Sequence, residues 1–442
     1  MTNLELYDEL GYELKIELSD TYNPKKANDG EDGRDLGVLI RYVGAVNPEC
    51  ENTHIEKDGY ALTRLEFPFE GEWNYQAARD TWGPEEGGAW SMPMTRIYVK
   101  DPGIRKSGLR FEYYVSEKLA AKKPVMTLSI NGEEQKKINL ETDGIFTEIL
   151  DVTGVGVEKA QYLSDAHRIL KILINDFDRV CRKYNLRYYL ICGSLLGSQR
   201  HKDLIPWDDD VDVAMPRKDF EELLKHVDEE WGEGKDIRFL EYNNLGDKVF
   251  LDFMTRIIYM KEEIPTGIFR KIKGRGRTDI ENHMPMDIYI LENASDTEWK
   301  HTVQTQVIRG LYGLAMGHRT VFNPSDYENR DKGTQNIVKF LRGFGKIVPL
   351  SLTFRLYEWV RKWNQNKKCE NYFESNGFIY CIPWKFKQEW FEEGKRVKLG
   401  EVEVSAPKDT EAFLHMHYKD YTQYPPMNMR IPTHDAEASG IF

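Results

Sequence analysis

Cysteine is scarce and poorly spaced for metal or disulfide chemistry. Cys50, Cys181, Cys192, Cys369 and Cys381 are scattered, odd in number and form no C-x-x-C pair, so neither a zinc site nor a disulfide framework is expected. The sequence has no run of about 18 uncharged apolar residues, which excludes an ordinary transmembrane helix. The amino terminus, MTNLELYDELGYELKIELSD, lacks the basic and apolar regions of a secretory signal, and a reducing cytoplasm is the expected compartment. Positive charge is also in short supply. A net charge of -12 argues against a general nucleic-acid binder, which needs a basic face to neutralise phosphates. What is present, 442 residues of which 40% are hydrophobic and 12% aromatic, suffices for a sizeable core and two or three domains.

Residues 1–152 read as β structure. Tyr12 to Leu18 alternates apolar and polar, and Gly37 to Val46, Thr95 to Val99, Leu109 to Val115 and Val125 to Ile130 follow as further strand candidates. Asn131-Gly132 between two such runs is the two-residue turn of an antiparallel hairpin, because both residues accept positive φ. Short strands at this spacing predict an all-β sandwich of jelly-roll type as an accessory domain. Trp73, Trp82 and Trp90 offer either a sugar-stacking platform or plain core.

From Val157 to Tyr184 the period changes to that of a helix, with Leu163, Ala166, Leu170, Leu173, Phe177, Val180 and Tyr184 on one stripe. Asp176, Asp178 and Arg179 lie off that stripe and are expected on a solvated face. The stretch that follows carries the chemistry. Tyr188 to Cys192 is apolar and ends at Gly193-Ser194, a small-residue turn whose amides can approach a phosphate. Asp208, Asp209 and Asp210 then lead into Val211-Asp212-Val213-Ala214-Met215, where period-2 alternation puts Asp210 and Asp212 on one face. Two such carboxylates repel unless a cation lies between them. Mg²⁺ or Mn²⁺, which take carboxylate oxygens and substrate phosphates, resolve the conflict. An acidic turn capping the next helix is the bland alternative.

Gly193-Ser194-Leu195-Leu196-Gly197, then Arg200-His201-Lys202, then Ile205 to Asp219 (IPWDDDVDVAMPRKD) resembles the LicD-type phosphocholine transferases, a family related to fukutin and fukutin-related protein within the nucleotidyltransferase-fold superfamily. The resemblance runs over about Glu158 to His434. It implies an α+β protein: a nucleotidyltransferase-like mixed-sheet catalytic domain over 153–442 with a helical C-terminal region, preceded by the sandwich. It also implies metal-dependent transfer of a phospho-alcohol from a CDP-activated donor to a glycan hydroxyl, on the cell surface or on a lipid-linked precursor. Phosphocholine leads; phosphoethanolamine, glycerol phosphate and ribitol phosphate remain open. Nucleotidyl transfer from an NTP uses the same residues, and a degenerate glycan-binding protein is the non-enzymatic alternative.

Asp287 stands alone among apolar neighbours in His283 to Leu291, an expensive place for a carboxylate without a partner. The family places a third acid at this point of its pattern, so Asp287 is expected either to join Asp210 and Asp212 as metal ligand or to accept the proton of the attacking hydroxyl; pairing with a nearby arginine is the alternative. Gly193, Ser194, Arg200, His201 and Lys202 are expected to hold donor phosphates. Arg217 and Lys218 hold phosphates as well, or else pair with the neighbouring acids. Trp207, Tyr242 and Tyr289 are candidates for an aromatic box around choline, or are core. The cationic run Arg270 to Arg277 closes over a diphosphate or is a solvated loop. Lys332 to Lys368 has nine Lys/Arg against the single acid Glu358, with Phe340, Phe344, Phe354, Tyr357, Trp359 and Trp363 interleaved. That pattern suits peripheral contact with the inner face of an anionic membrane, or a packed helix over the cleft. Near the end, His417 to Pro426 and His434 resemble the family's closing segment, with Lys419 where a glycine is usual.

Overall fold

The computed structural model describes residues 10–49, 64–67, 77–85, 87–246, 248–264, 266–269, 277–319, 331–425 and 429–434. Trp73, the cationic run 270–276 and Pro426 lie outside them. The chain divides into two compact units, 1–164 with 422–431, and 165–421 with 432–442.

Among the described residues the first unit has nine strands: β1 (Tyr12–Leu18), β2 (Leu39–Ala45), β3 (Leu65–Glu66), β4 (Ala78–Glu85), β5 (Gly88–Val99), β6 (Leu109–Val115), β7 (Val125–Ile130), β8 (Glu133–Asn139) and β9 (Gly144–Leu150). They join in a single hydrogen-bonded network ordered β8-β7-β1-β5-β2-β6-β9, with β3 on β2 and β4 on β5. Short helices α1 (Pro102–Ser107) and α2 (Glu117–Ala120) flank β6. Alternation decides which face is covered: Tyr12, Leu14, Ile16 and Leu18 of β1 are buried, and the residues between them are half-exposed. At the β7–β8 turn Ile130 pairs with Glu133 across Asn131 at φ 50° and Gly132 at φ 87°, the positive-φ pair of the tightest hairpin turn. Edge strand β8 presents exposed charges, which discourages further strand addition. Trp82 and Trp90 are half-buried, each with its indole N–H bonded, to the Asp35 carbonyl at 3.0 Å and to Glu85 at 3.2 Å.

A 27-residue helix, α3 (Val157–Lys183), follows on the apolar stripe. Asp178 is not solvated as expected. It is 2% exposed, accepts from Tyr188 at 2.7 Å and pairs with Arg182 and with Arg396, 218 residues away.

The second unit is α+β. Its mixed sheet runs β10 (Tyr189–Leu190), β11 (Asp212–Pro216), β14 (Pro285–Ala294), β13 (Thr255–Tyr259), β12 (Ile237–Leu240), with β15 (Asn371–Glu374) on β14 and β16 (Phe386–Lys387) on β15. Only β11 and β14 are parallel among these pairs. Hairpin β17 (Lys395–Leu399) with β18 (Val402–Ala406) stands separately. The helices are α4 (Cys192–Arg200), α5 (Arg217–Leu223), α6 (Val227–Trp231), α7 (Glu298–Ala315), α8 (Lys332–Gly345), α9 (Leu350–Arg361) and α10 (Thr410–Tyr418). Val249 to Met254 is irregular, and the chain straightens at Thr255.

On β14 the period of two sends Asp287, Tyr289 and Leu291 to one face and Met286, Ile288, Ile290 and Glu292 to the other. Glu292, 1% exposed, takes Arg217 Nε at 3.0 and 3.1 Å and Arg361 Nε at 3.3 Å. Against α9 an aromatic core gathers, with Phe253 stacked on Tyr357 at 3.7 Å between centroids and Tyr242 edge-on to both.

Candidate functional site

The site forms where β11 begins. Its position follows from the parallel ladder: Asp212 lies directly opposite Asp287, and the two side chains share a face. The Asp287 amide donates to the Val211 carbonyl at 3.1 Å and the Ile191 amide to the Asp212 carbonyl at 3.1 Å, so three chain segments fix this point. The strand starts at Asp212. Asp210 therefore precedes it, and strand alternation does not account for its placement. A long-range contact does: His434 Nε2 is 3.0 Å from Asp210 Oδ2.

The three consecutive aspartates have three environments. Asp209 is fully buried and accepts the amides of Thr433 and His434 at 2.9 and 3.0 Å, which makes it the anchor of that segment. Asp208 reaches back to the start of α4, where a Cβ on Gly193 would come within 2.6 Å of its Oδ2. Any side chain at 193 would displace this carboxylate. Asp210 faces His434. Burial, then the charges of Asp210 and Asp209, hold the Asp208 carboxyl well above the usual carboxylate range. Asp212 is raised likewise, by burial and then by Asp210, Asp287, Asp208 and Glu374. Asp287 is pushed up to about 6, since burial outweighs the opposing pull of Arg256. His434 is pushed up to about 9: burial alone would lower it, but the hydrogen bond and charge of Asp210 prevail.

Ser194, 1% exposed, sits in the first turn of α4, and its Oγ accepts the Asp212 amide at 2.9 Å. It positions the carboxylate strand. Arg200, His201 and Lys202 are carried to the other end of α4, about 9 Å along the axis from Ser194. There His201 meets Trp207 edge-on, and the Lys202 carbonyl accepts from Gly400. Arg217 and Lys218 follow β11 at its far end, about 16 Å of strand from Asp212. With Arg187, Lys367 and Lys368 they line a polar cavity of about 410 Å³, and Arg217 pairs with the acid Glu292. Of the aromatic candidates, Trp207, Tyr242 and Tyr289 are all buried, and only Tyr289 shares the face of Asp287.

Asp287 also has the arginine partner expected as its alternative: Arg256 Nε lies 2.7 Å away, while the same guanidinium binds Asp252 at 2.8 and 2.9 Å. Among the described residues no group of three or more His, Cys, Asp or Glu is spaced to hold a metal ion. Asp210 is engaged with His434 and Asp287 with Arg256. Asp212 is different. It is 5% exposed, and no side-chain hydrogen bond to its carboxylate occurs among the described residues. A crowded set of hard oxygen donors with one buried member unpartnered fits Mg²⁺ or Mn²⁺ in donor type.

Two neighbours escape a reading of the sequence. Glu374 on β15 is 1% exposed and pushed up to about 8 by burial. Tyr418, the last residue of α10, has its hydroxyl raised by burial and then by Cys192, Asp208, Asp212 and Asp210. A lone acid in Asn371-Tyr372-Phe373-Glu374 carries the same signal that picks out Asp287; Tyr418 lies in the closing segment His417 to Pro426, which the sequence marks without giving this residue a role.

Comparison with known proteins bears on the same stretch. Residues 185–263 match the family model described as LicD/FKTN/FKRP, nucleotidyltransferase domain. The chain is 40% identical over 52 residues to the lipopolysaccharide cholinephosphotransferase LicD of Haemophilus influenzae, covering 12% of this chain and 20% of that protein. It is 36% identical over 55 residues to an uncharacterized protein of Rickettsia typhi, 12% of this chain and 18% of the other. A second uncharacterized protein, from Rickettsia prowazekii, is 38% identical over 47 residues, 11% and 18% of the two chains. The chain thus spans about a fifth of the length of the curated relatives it matches. The matched stretch holds Ser194, Asp210, Asp212 and Arg256; Asp287, Glu374 and His434 lie beyond it.

Proposed function

We propose that this LicD-type chain transfers a phospho-alcohol, phosphocholine first, from a CDP-activated donor to a hydroxyl of a cell-surface glycan or its lipid-linked precursor. The observation that carries the reading is the pairing of Asp212 with Asp287 on parallel strands, beside Asp210 and the Gly193–Ser194 helix start. The printed name of the Haemophilus influenzae relative favours choline among the alcohols.

In the reaction the acceptor hydroxyl gives up its proton and its oxygen bonds to the phosphorus that bears the alcohol. The bond from that phosphorus to the bridging oxygen breaks, and CMP departs. A divalent cation on Asp210, Asp212 and Asp287, Mg²⁺ or Mn²⁺, would neutralise the charge of the donor diphosphate and of the leaving CMP. The chain's own residues set the geometry. Ser194 fixes the Asp212 backbone, Arg256 orients Asp287, and His434 holds one oxygen of Asp210. Asp287 is either the third ligand or the base for the acceptor proton. Half-buried Trp82 and Trp90 make the β-rich unit the candidate for glycan contact, as a carbohydrate-binding sandwich.

The test is incubation with Mg²⁺ or Mn²⁺ and CDP-choline, CDP-ethanolamine, CDP-glycerol or CDP-ribitol, with candidate glycans, scoring CMP. Acceptor-dependent CMP release that is lost in Asp210→Ala is the expected result. Pyrophosphate released from ATP or CTP instead would assign nucleotidyl transfer, and full turnover by Asp210→Ala would overturn the mechanism.

A further inference from the structure

The cationic, aromatic stretch 332–368 separates in three dimensions into two populations. Tyr357 is fully buried, while Phe354 and Trp363 pack against the same core. Arg361 is consumed by Glu292 and Glu358, and Lys362 by Glu221 and Glu358. The remainder faces outward. On α8, Ile337, Phe340 and Phe344 are 60%, 70% and 49% exposed, and Ile347 just beyond it is 75% exposed. They recur at steps of three and four, as one stripe. On α9, Leu352, Leu356 and Trp359 are 43%, 40% and 64% exposed on the face opposite Tyr357.

Both helices are anchored from behind by α7. Gly345 rests on the Leu314 backbone and Gly313 on Leu341, so close packing presents the stripe outward on a firm base. Seven large apolar side chains left in water on two successive helices form an unpaired surface. The cations alternate with it in sequence: Lys339 precedes Phe340, Lys346 precedes Ile347, and Arg355 precedes Leu356. All three are exposed, without an ion pair among the described residues. Lysine and arginine at such positions extend their charge outward while their stems cover apolar area.

We propose that this face of α8 and α9 docks on an anionic lipid surface, with the apolar stripe at the level of the acyl boundary and the cations at the headgroups. Charge selects the occupant. The segment is net positive, with nine Lys/Arg against Glu358, in a chain of net charge -12. A second copy of this face would bring like charges together, whereas an anionic bilayer satisfies both the apolar area and the cations. Among the described residues no helix is long and apolar enough to cross a membrane, so the helices lie along the surface. The proposal does not depend on the phosphotransfer reading.

Co-sedimentation of the full chain with sucrose-loaded vesicles tests it. Binding is expected to phosphatidylglycerol–phosphatidylcholine vesicles at low salt and to weaken as salt is raised. Phe340→Ser and Phe344→Ser each lower partitioning roughly tenfold. Lys339→Gln and Lys346→Gln each lower it about fivefold on anionic vesicles only. Unchanged far-UV circular dichroism and an unchanged melting temperature show that these surface variants remain folded. Absence of binding to anionic vesicles at low salt, binding indifferent to all four substitutions, or a dimer in light scattering that Phe340→Asp dissolves would each overturn the proposal.

Discussion

Replacing Asp212 by asparagine should stabilise the metal-free protein while removing its chemistry. Adjacent strands lie about 4.8 Å apart, which sets the ionised carboxylates of Asp212 and Asp287 about 5 Å apart given their register. At an effective dielectric constant of about 20, that repulsion amounts to about 3 kcal/mol. The Asp212 carboxyl is raised well above its unfolded value near 3.8. Its contribution to stability is therefore intact below pH 4 and lost as pH rises through the elevated value. The carboxamide of the Asp212→Asn variant does not ionise. In EDTA at pH 7.5 the variant should gain about 2–3 kcal/mol, a melting temperature higher by roughly 5–10 °C in a unit of this size. Near pH 4 the gain should vanish. Mn²⁺ should raise the melting temperature of the wild type but not of Asp212→Asn, and CMP release should fall at least about a thousandfold, as several kcal/mol of charge stabilisation are lost. Differential scanning fluorimetry across pH, with and without EDTA, measures all but the last. A variant less stable than wild type in EDTA at neutral pH, or a gain independent of pH, would refute the reasoning.

His167 is buried against the Asp208 carbonyl at 2.8 Å and pushed down to about 4 by burial. As pH falls from 6.5 towards 4 the unfolded chain takes up a proton that the fold resists, and about 3 kcal/mol is lost; His167→Gln should flatten that acid limb in urea titrations. Glu292→Gln leaves the buried Arg217 guanidinium without its carboxylate and Arg361 with Glu358 alone, and should cost about 3–5 kcal/mol by urea denaturation. Lys419 adopts φ 54°, a backbone setting open to glycine at no steric cost. Lys419→Gly should gain about 1 kcal/mol in the same assay.

Local pattern made much of the fold legible. Tyr12–Leu18, Leu109–Val115 and Val125–Ile130 begin and end as strands where alternation begins and ends. Val157–Lys183 is the helix its apolar stripe describes, and Asn131-Gly132 turns the chain as its chemistry requires. What escaped depends on partners far away in sequence. Asp208, Asp209 and Asp210 are one chemical species three times over, and only Gly193, the 433–434 amides and His434 tell them apart. Asp178 reads as solvated until Arg396 arrives from another hairpin. Arg217 looks equally suited to a phosphate or an acid in the sequence, and Glu292, 75 residues on, shares its ion pair. Lys419 was legible in part: a position where glycine is usual has the positive φ that explains the preference.

The grip of Asp209 on the Thr433 and His434 amides has a consequence for biosynthesis. The contacts of the aspartates with His434 span 224 and 225 residues, the kind of closure that is slow to form and follows local structure. Until the ribosome has passed residue 434, the carboxylate cluster has emerged without the imidazole that faces Asp210 or the amides that hold Asp209. The finished centre therefore requires residue 434 to have been made, more than two hundred residues after the acids it serves.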